Sequence, residues 1–191
     1  MPLGKPLIEF EVLPSTNSFL LGDISLCSQH GLTVWTHQQT SGRGRAGRTF
    51  ISPSNQVLTF SVVIHSSDPE DRLHLWALWS GLALFRSLSG KGLSNLSLKW
   101  PNDLLINEKK ISGILIETTD SEDGLDIVIG IGINVHMNES EGSEIDQSWG
   151  NLEDNPAYKL DRNKIIGRII SEMHALFQQY PESGFKNYHH L

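Results

Sequence analysis

The sequence predicts an α+β fold, helices packed on a largely antiparallel mixed β-sheet, and two observations carry the prediction. Between residues 96 and 135 four short apolar segments follow one another with only turn residues between them, the pattern of a meander. Segments with helical spacing lie before and after this cluster. Hairpins grouped between helices fit an antiparallel sheet better than alternating βαβ units.

The elements follow in chain order. Leu7 to Leu13 alternates and reads as a strand, and Ser15-Thr16-Asn17-Ser18 supplies N-cap side chains for a helix over residues 16–29, with Gly31 as its stop. Residues 33–38 form a second strand. The β-branched, apolar stretch 57–64 is a buried strand, and Asp68-Pro69 opens a long helix to residue 88 that carries Trp76, Trp79 and Phe85 among leucines. Residues 96–100, 104–106, 111–117 and 126–135 are the four strands of the meander, separated by Pro-Asn-Asp and Asn-Glu-Lys turns. Residues 138–155 are polar and contain glycine, as a mobile loop does. A last helix is capped at Asp161 and runs to about residue 180, with Ile165, Ile166, Ile169, Ile170, Met173, Leu176 and Phe177 as its buried stripe.

Bulk properties narrow the functions. With 191 residues, 38% hydrophobic and 19% charged, the chain can bury one well-formed core, so a single domain over 1–191 is expected. Fifteen Lys and Arg against 22 Asp and Glu give a net charge of -7, the wrong sign for a DNA-binding protein. The one cysteine, Cys27, has no intramolecular disulfide partner, and the N-terminus lacks a signal-peptide core. Both fit a reducing cytoplasm. The long apolar stretches 73–88 and 125–135 are broken by polar residues, so no membrane span is expected.

Gly42-Arg43-Gly44-Arg45-Ala46-Gly47-Arg48 satisfies the GxGxxG pattern of dinucleotide binding, which requires a helix to begin at the third glycine. Here residues 49–55 lead into a strand instead, so that context is missing. What remains is three arginines among glycines that can turn backbone N–H groups toward an anion, a local positive pocket in an acidic protein. A solvated basic turn is the alternative. Farther on, Lys99-Trp100-Pro101-Asn102-Asp103 sets an amide and a carboxylate on a proline-fixed turn, where they serve equally as turn formers or ligand contacts. Lys110 opens the strand that follows, with Lys109 as its solvated neighbour and Gly113 leaving room for a close approach. A lysine there can neutralise charge developing on a carboxylate or phosphoryl oxygen, or can simply guard a strand edge.

Four blocks, in order, resemble the catalytic domain of biotin protein ligases (biotin-[acetyl-CoA-carboxylase] ligases): Ser15-Thr16-Asn17; Gln39 with the Gly42–Arg48 loop; Lys99-Trp100-Pro101-Asn102-Asp103 with Lys110 and Gly113; and Gly130-Ile131-Gly132-Ile133-Asn134. They cover residues 7–135. The resemblance implies a class II aminoacyl-tRNA synthetase-like, biotin-lipoate ligase fold and a two-step reaction with ATP and Mg2+: formation of biotinyl-5'-AMP, then transfer of biotin to a lysine of a biotin carboxyl carrier protein. It also implies roles. Ser15, Thr16, Asn17, Gln39, Gly42, Arg43, Gly44 and Gly113 would surround biotin; Lys110 would bridge carboxylate and α-phosphate; Arg45 and Arg48 would retain the adenylate. Phe50 would cover the adenine, Asn102 or Asn134 would bond its edge, and Asp103 would help place the metal-nucleotide. Metal ligands are not identified by the sequence, and His189-His190 is too short for a metal site.

Two departures set further expectations. Only 14 residues precede Ser15, so no helix-turn-helix domain and no repressor role are expected, and the chain stops where many members continue into an SH3-like barrel. Residue 46 is Ala where a basic residue is common. A homodimer through exposed sheet edges fits such a fold. The rivals are a lipoate or octanoate ligase or transferase, which shares the lysine but is not expected to carry the triple-arginine loop, and a non-catalytic biotin- or nucleotide-responsive module, against which intact Lys110 argues.

Overall fold

A computed structural model describes residues 6–67, 73–89, 93, 95–122, 124–155 and 161–183. Two strands that are apolar almost throughout, β3 (Val57–Ser66) and β7 (Gly124–Asn134), pair antiparallel at the centre of a seven-stranded sheet. On one side of them stand β2 (Thr33–Gln39) and β1 (Leu7–Leu13), and on the other β6 (Lys109–Ser121), β5 (Asp103–Ile106) and β4 (Leu96–Lys99). The order is β1-β2-β3-β7-β6-β5-β4. Only β1 and β2 run parallel; every other pair is antiparallel, so the expected meander and the mixed sheet are both present.

Side chains alternate across a strand, and here each face has its own cover. Leu58, Phe60, Val62 and Ile64 of β3, with Ile127, Ile129, Ile131 and Ile133 of β7, pack beneath α3 (Leu73–Leu88) and α4 (Arg162–Ser183). This is the main core. The predicted stripe of α4 is buried as expected, with Phe177 partly covered and edge-on to Trp76 at 4.8 Å. Asp161 accepts the Lys164 backbone N–H and so caps α4. Arg162 donates to the carbonyls of Val57 and Asn55, tying the helix start to the start of β3. The predicted helix start at Asp68-Pro69 lies outside the described residues, as does His189-His190.

The opposite face is only half covered. Leu20, Cys27, Leu32, Val34, Val63 and Val128 make a second, smaller cluster beneath α1 (Thr16–Leu21) and α2 (Ile24–Cys27). The single helix expected over 16–29 is therefore two. Gly22 closes α1 and the Asp23 carboxylate accepts the Ser25 N–H to start α2, so a local side-chain bond outcompetes helix continuation. Burial pushes the Cys27 thiol up to about 11, with Asp126 adding to the effect. It is an inert core residue. Among the described residues no helix is long and apolar enough to cross a membrane.

The parallel β1–β2 pair is joined by side chains as well as by its ladder. His37 Nε2 lies 2.7 Å from Glu9 Oε1, and its Nδ1 lies 2.8 Å from Asn55 Oδ1. The Glu9 bond raises the His37 pKa above its ordinary value of 6.5. A raised folded-state value stabilises the fold fully below the unfolded pKa, and the contribution disappears as the pH rises through the folded value. Because the Glu9 side chain is 55% exposed, the pair contributes no more than about 1 kcal/mol. Glu9→Gln should lower the thermal midpoint at about pH 5.5 and leave it unchanged at about pH 8.5. A penalty equal at both pH values would show that the pair does not act through protonation.

Candidate functional site

The uncovered half of that second face is a cleft of about 400 Å³. Its floor comes from the small side of the central strands. Along Gly130-Ile131-Gly132-Ile133-Asn134 the isoleucines enter the main core, whereas the two glycines and Asn134 line the cleft. The glycines are seats. A Cβ on Gly130 would overlap the Asn17 amide, and one on Gly132 would overlap the Phe50 ring.

At one end sits the first turn of α1. Ser15 Oγ accepts the Ser18 N–H, and Gln39 Oε1 accepts both the Thr16 N–H at 2.8 Å and its hydroxyl at 3.2 Å. Below them, Ser61 Oγ is 2.6 Å from both Thr16 Oγ1 and Asn17 Oδ1. Asn17 Nδ2 donates onward to Leu115 O at 3.3 Å and Glu117 Oε2 at 2.9 Å. Ser15, Thr16, Asn17 and Ser61 are all buried, so this end is a polar wall held by its own hydrogen bonds.

The glycine-arginine loop closes one side as a hairpin rather than as an open turn. Phe50 N–H donates to Gly42 O, Gly44 N–H to Arg48 O, and a short 3-10 turn over Arg45–Gly47 makes the bend, with Ala46 at φ 54 and Gly47 at φ 74. The dinucleotide-binding context is absent, as the sequence indicates, because the chain continues into a strand. The three arginines separate. Arg43 forms an ion pair with Glu117 at 2.7 Å, Arg45 Nη1 donates to Asn102 Oδ1 at 3.2 Å, and Arg48 has no ion pair among the described residues. Gly42, expected at the ligand, does not line the cleft; its missing side chain lets the Phe50 carbonyl and the Gln39 amide close in.

Facing the loop, the 101–103 turn is fastened to β6. Asn102 Nδ2 donates to Ile114 O at 3.0 Å, so Asn102 is a turn former and a cleft residue at once. Lys110 Nζ lies 2.9 Å from Asp103 Oδ1, with the ammonium packed 3.4 Å from where a Gly113 Cβ would stand. The glycine makes room for the lysine. Asn134 donates to Gly150 O at 3.1 Å, and residues 148–150 run parallel to Lys110. The expected mobile loop is thus tied down over 148–154, where Asn151 bonds to Met137 and Asp154.

Of the site residues predicted from sequence, Ser15, Thr16, Asn17, Gln39, Arg43, Gly44, Arg45, Arg48, Phe50, Asn102, Asp103, Lys110, Gly113 and Asn134 all line this cleft. Sequence reasoning missed Trp149, Ile145 and Gln147, which reach it from the 138–155 segment, and Glu117, which stands behind it. Strand alternation from Gly113 through Leu115 would have located Glu117. No local signal marks Trp149. Among the described residues there is no cluster of three metal-ligating side chains.

A family model described as the biotin/lipoate A/B protein ligase family matches residues 9–134, which include most of β1, the other six strands of the sheet and, with the exception of residues 145–149, the whole cleft lining. The chain belongs to this biotin/lipoate ligase family. It is 34% identical over 187 residues to the bifunctional ligase/repressor BirA of Escherichia coli, covering 97% of this chain and 57% of that protein. It is 30% identical over 171 residues to a biotin–[acetyl-CoA-carboxylase] ligase of Mycobacterium tuberculosis, covering 87% of this chain and 62% of the relative. The structure of the biotin protein ligase from Aquifex aeolicus in complex with biotin and ATP superposes with a TM-score of 0.81 at 30% identity, covering 96% of this chain and 75% of that one. The chain therefore spans little more than half the length of the curated relatives it matches.

In this ligase-family cleft the Asn17 amide occupies the space that a Gly130 Cβ would need. Gly130→Ala should cost about 1–3 kcal/mol in chemical denaturation through overpacking. Combining it with Asn17→Ala should recover most of that loss. Strictly additive losses would show that the two do not share the space.

Proposed function

We propose that this chain joins biotin to a lysine of a biotin carboxyl carrier protein, with ATP as the second substrate and biotinyl-5'-AMP as the intermediate. The observation that carries the proposal is one cleft with two chemically different ends. At one end is the hydrogen-bonding wall of Ser15, Thr16, Asn17 and Gln39, and at the other the cations Arg45, Arg48 and Lys110. The ureido ring of biotin carries a carbonyl and two N–H groups that must be matched when buried, which the first end can do. The second end suits phosphate. Relatives of this chain are named as biotin ligases, and the Aquifex aeolicus structure is described in complex with biotin and ATP.

In the first step a biotin carboxylate oxygen attacks the α-phosphorus of ATP, forming the P–O bond of the acyl adenylate and breaking the bond to pyrophosphate. Both reactants are anions. Lys110, which lines the cleft, is the cation assigned here to offset the charge gathered on the phosphoryl oxygens. Its partner Asp103, 2.9 Å away, holds the ammonium at the cleft. Phe50, seated on Gly132, offers a flat apolar surface for adenine, with Asn102 and Asn134 at the edge of the same space. In the second step the amine of the carrier lysine attacks the acyl carbon, loses a proton and expels AMP. Arg45 and Arg48 hold the adenylate until then.

Mg2+ belongs to the same proposal. Among the described residues Asp103 is the one carboxylate lining the cleft, which fits a metal that arrives on nucleotide phosphates and keeps most of its waters, not one held in a protein cage. When bound it offsets charge on the departing pyrophosphate. A single catalytic domain and side-by-side pairing of two copies along an open sheet edge are further parts of this reading.

Biotin-dependent exchange of pyrophosphate into ATP tests the reading, with lipoate and octanoate as controls. Exchange with biotin alone is expected; none at saturating ATP and Mg2+ would overturn it. Lys110→Ala should lower adenylate formation by roughly 10²–10³-fold. Arg45→Ala should still form the adenylate but release it to label bystander lysines. Wild-type retention by Arg45→Ala would remove that arginine from the holding role.

A further inference from the structure

Glu117 lies behind the cleft, on β6, and the reaction just described assigns it no part. Its position is nonetheless singular. One oxygen, Oε2, accepts from Arg43 Nη2 at 2.7 Å and from Asn17 Nδ2 at 2.9 Å. Three segments distant in sequence thus meet at one carboxylate: the Ser15-Thr16-Asn17 turn, the glycine-arginine loop and the middle of β6. The Glu117 side chain is 25% exposed and that of Arg43 43%. The contact is neither a dry core pair nor a fully solvated one, and the charged acceptor strengthens both bonds.

The loop has few other anchors to the sheet. Its hairpin bonds, Phe50 to Gly42 and Gly44 to Arg48, are internal to it. Outside itself it reaches the protein through backbone bonds at its base (Gln39 with Ser52, Thr40 N–H to Leu13 O, Ser41 N–H to Pro14 O), the Arg45–Asn102 bond, the seat of Phe50 on Gly132, and the Arg43–Glu117 ion pair. Of these, only the last joins opposite charges. Arg43 differs from its two neighbours in this respect: its guanidinium is spent on the protein, while Arg45 meets only a neutral amide.

We infer that Glu117 is a positioning residue that clasps the glycine-arginine loop over the cleft through Arg43, and by the same oxygen sets the Asn17 amide in the wall. It therefore governs how long biotin and its adenylate stay bound rather than how fast the phosphoryl bond forms. The inference rests on the ligase reading for its substrate but not for its geometry. Arg43 and Asn17 both line the cleft, whereas Glu117 does not, so its effect must pass through them.

The test uses the whole chain with Glu117→Gln, Glu117→Ala and the charge exchange Arg43→Glu with Glu117→Arg. Glu117→Ala should raise both the KM for biotin and the rate of adenylate release by roughly tenfold while lowering kcat of adenylation by no more than about threefold, the size expected for one half-exposed charge-assisted contact. Glu117→Gln, which keeps an acceptor but loses the charge, should fall between. The exchange should recover part of the retention lost in either single variant. Equal losses in kcat and retention, or an exchange no better than the worse single variant, would overturn the clasp. Hydrogen exchange of residues 42–50 without substrate separates this from the ligase reading. If wild type forms no biotinyl adenylate, faster exchange in Glu117→Ala still supports the clasp, and unchanged exchange sinks it.

Discussion

The structure depends on two central strands that present opposite chemistry on their two faces. In β3 and β7 one face is a run of large apolar side chains, and the other carries Thr59, Ser61, Gly130, Gly132 and Asn134 before it becomes apolar again at Val63 and Val128. The first face recruits α3 and α4 and forms the core. The second cannot be covered by a helix along its whole length, because its middle offers little apolar surface to bury. A helix-covered half and an open half result, and the open half is the cleft.

Small side chains do more than leave space. Gly130 and Gly132 let Asn17 and Phe50 lie directly on the sheet, Gly113 admits the Lys110 ammonium, and Gly142 lets the Trp149 ring pack against it. Each absent Cβ thus positions a functional side chain from another segment. That arrangement seats the site directly on the sheet, although most of its polar groups are carried on turns and loops. It also explains why a chain of net charge -7 can hold a cationic cleft: the arginines are carried on one hairpin set against the sheet, not spread over the surface.

Much of this was legible in the sequence, for reasons of period and composition. The meander was visible because its strands are short, apolar and punctuated by turns, and the α4 stripe because its spacing is helical. The cleft was visible as four blocks that converge, and of the site residues predicted from them only Gly42 falls outside its lining. What escaped had a physical cause in each case. The break between α1 and α2 turns on one Asp23 side chain bonding to Ser25, a local competition that periodicity does not register. Trp149 enters the cleft because residues 148–150 add alongside Lys110, a pairing made over a long loop and without any hydrophobic pattern. Glu117 shares a strand face with Gly113 and Leu115, so alternation places it on the cleft side, but its partners Arg43 and Asn17 lie far away in sequence and only the fold brings them to it.

The resting partners of the cations order the events in the cleft. Lys110 is paired with Asp103 and Arg43 with Glu117, while Arg45 touches a neutral amide and Arg48 forms no ion pair among the described residues. An arriving polyanion is therefore attracted first by Arg45 and Arg48, whose charges are not already offset by a carboxylate. On the proposed ligase reading, the pull of Lys110 on the reactants would be tempered by its pairing with Asp103 until negative charge builds up on the phosphoryl oxygens. That is the condition for stabilising a transition state more than a ground state, since a lysine fully committed to the bound substrate would tighten binding without lowering the barrier. On the proposed reading, the same carboxylate that limits ground-state binding also holds the lysine in place at the cleft.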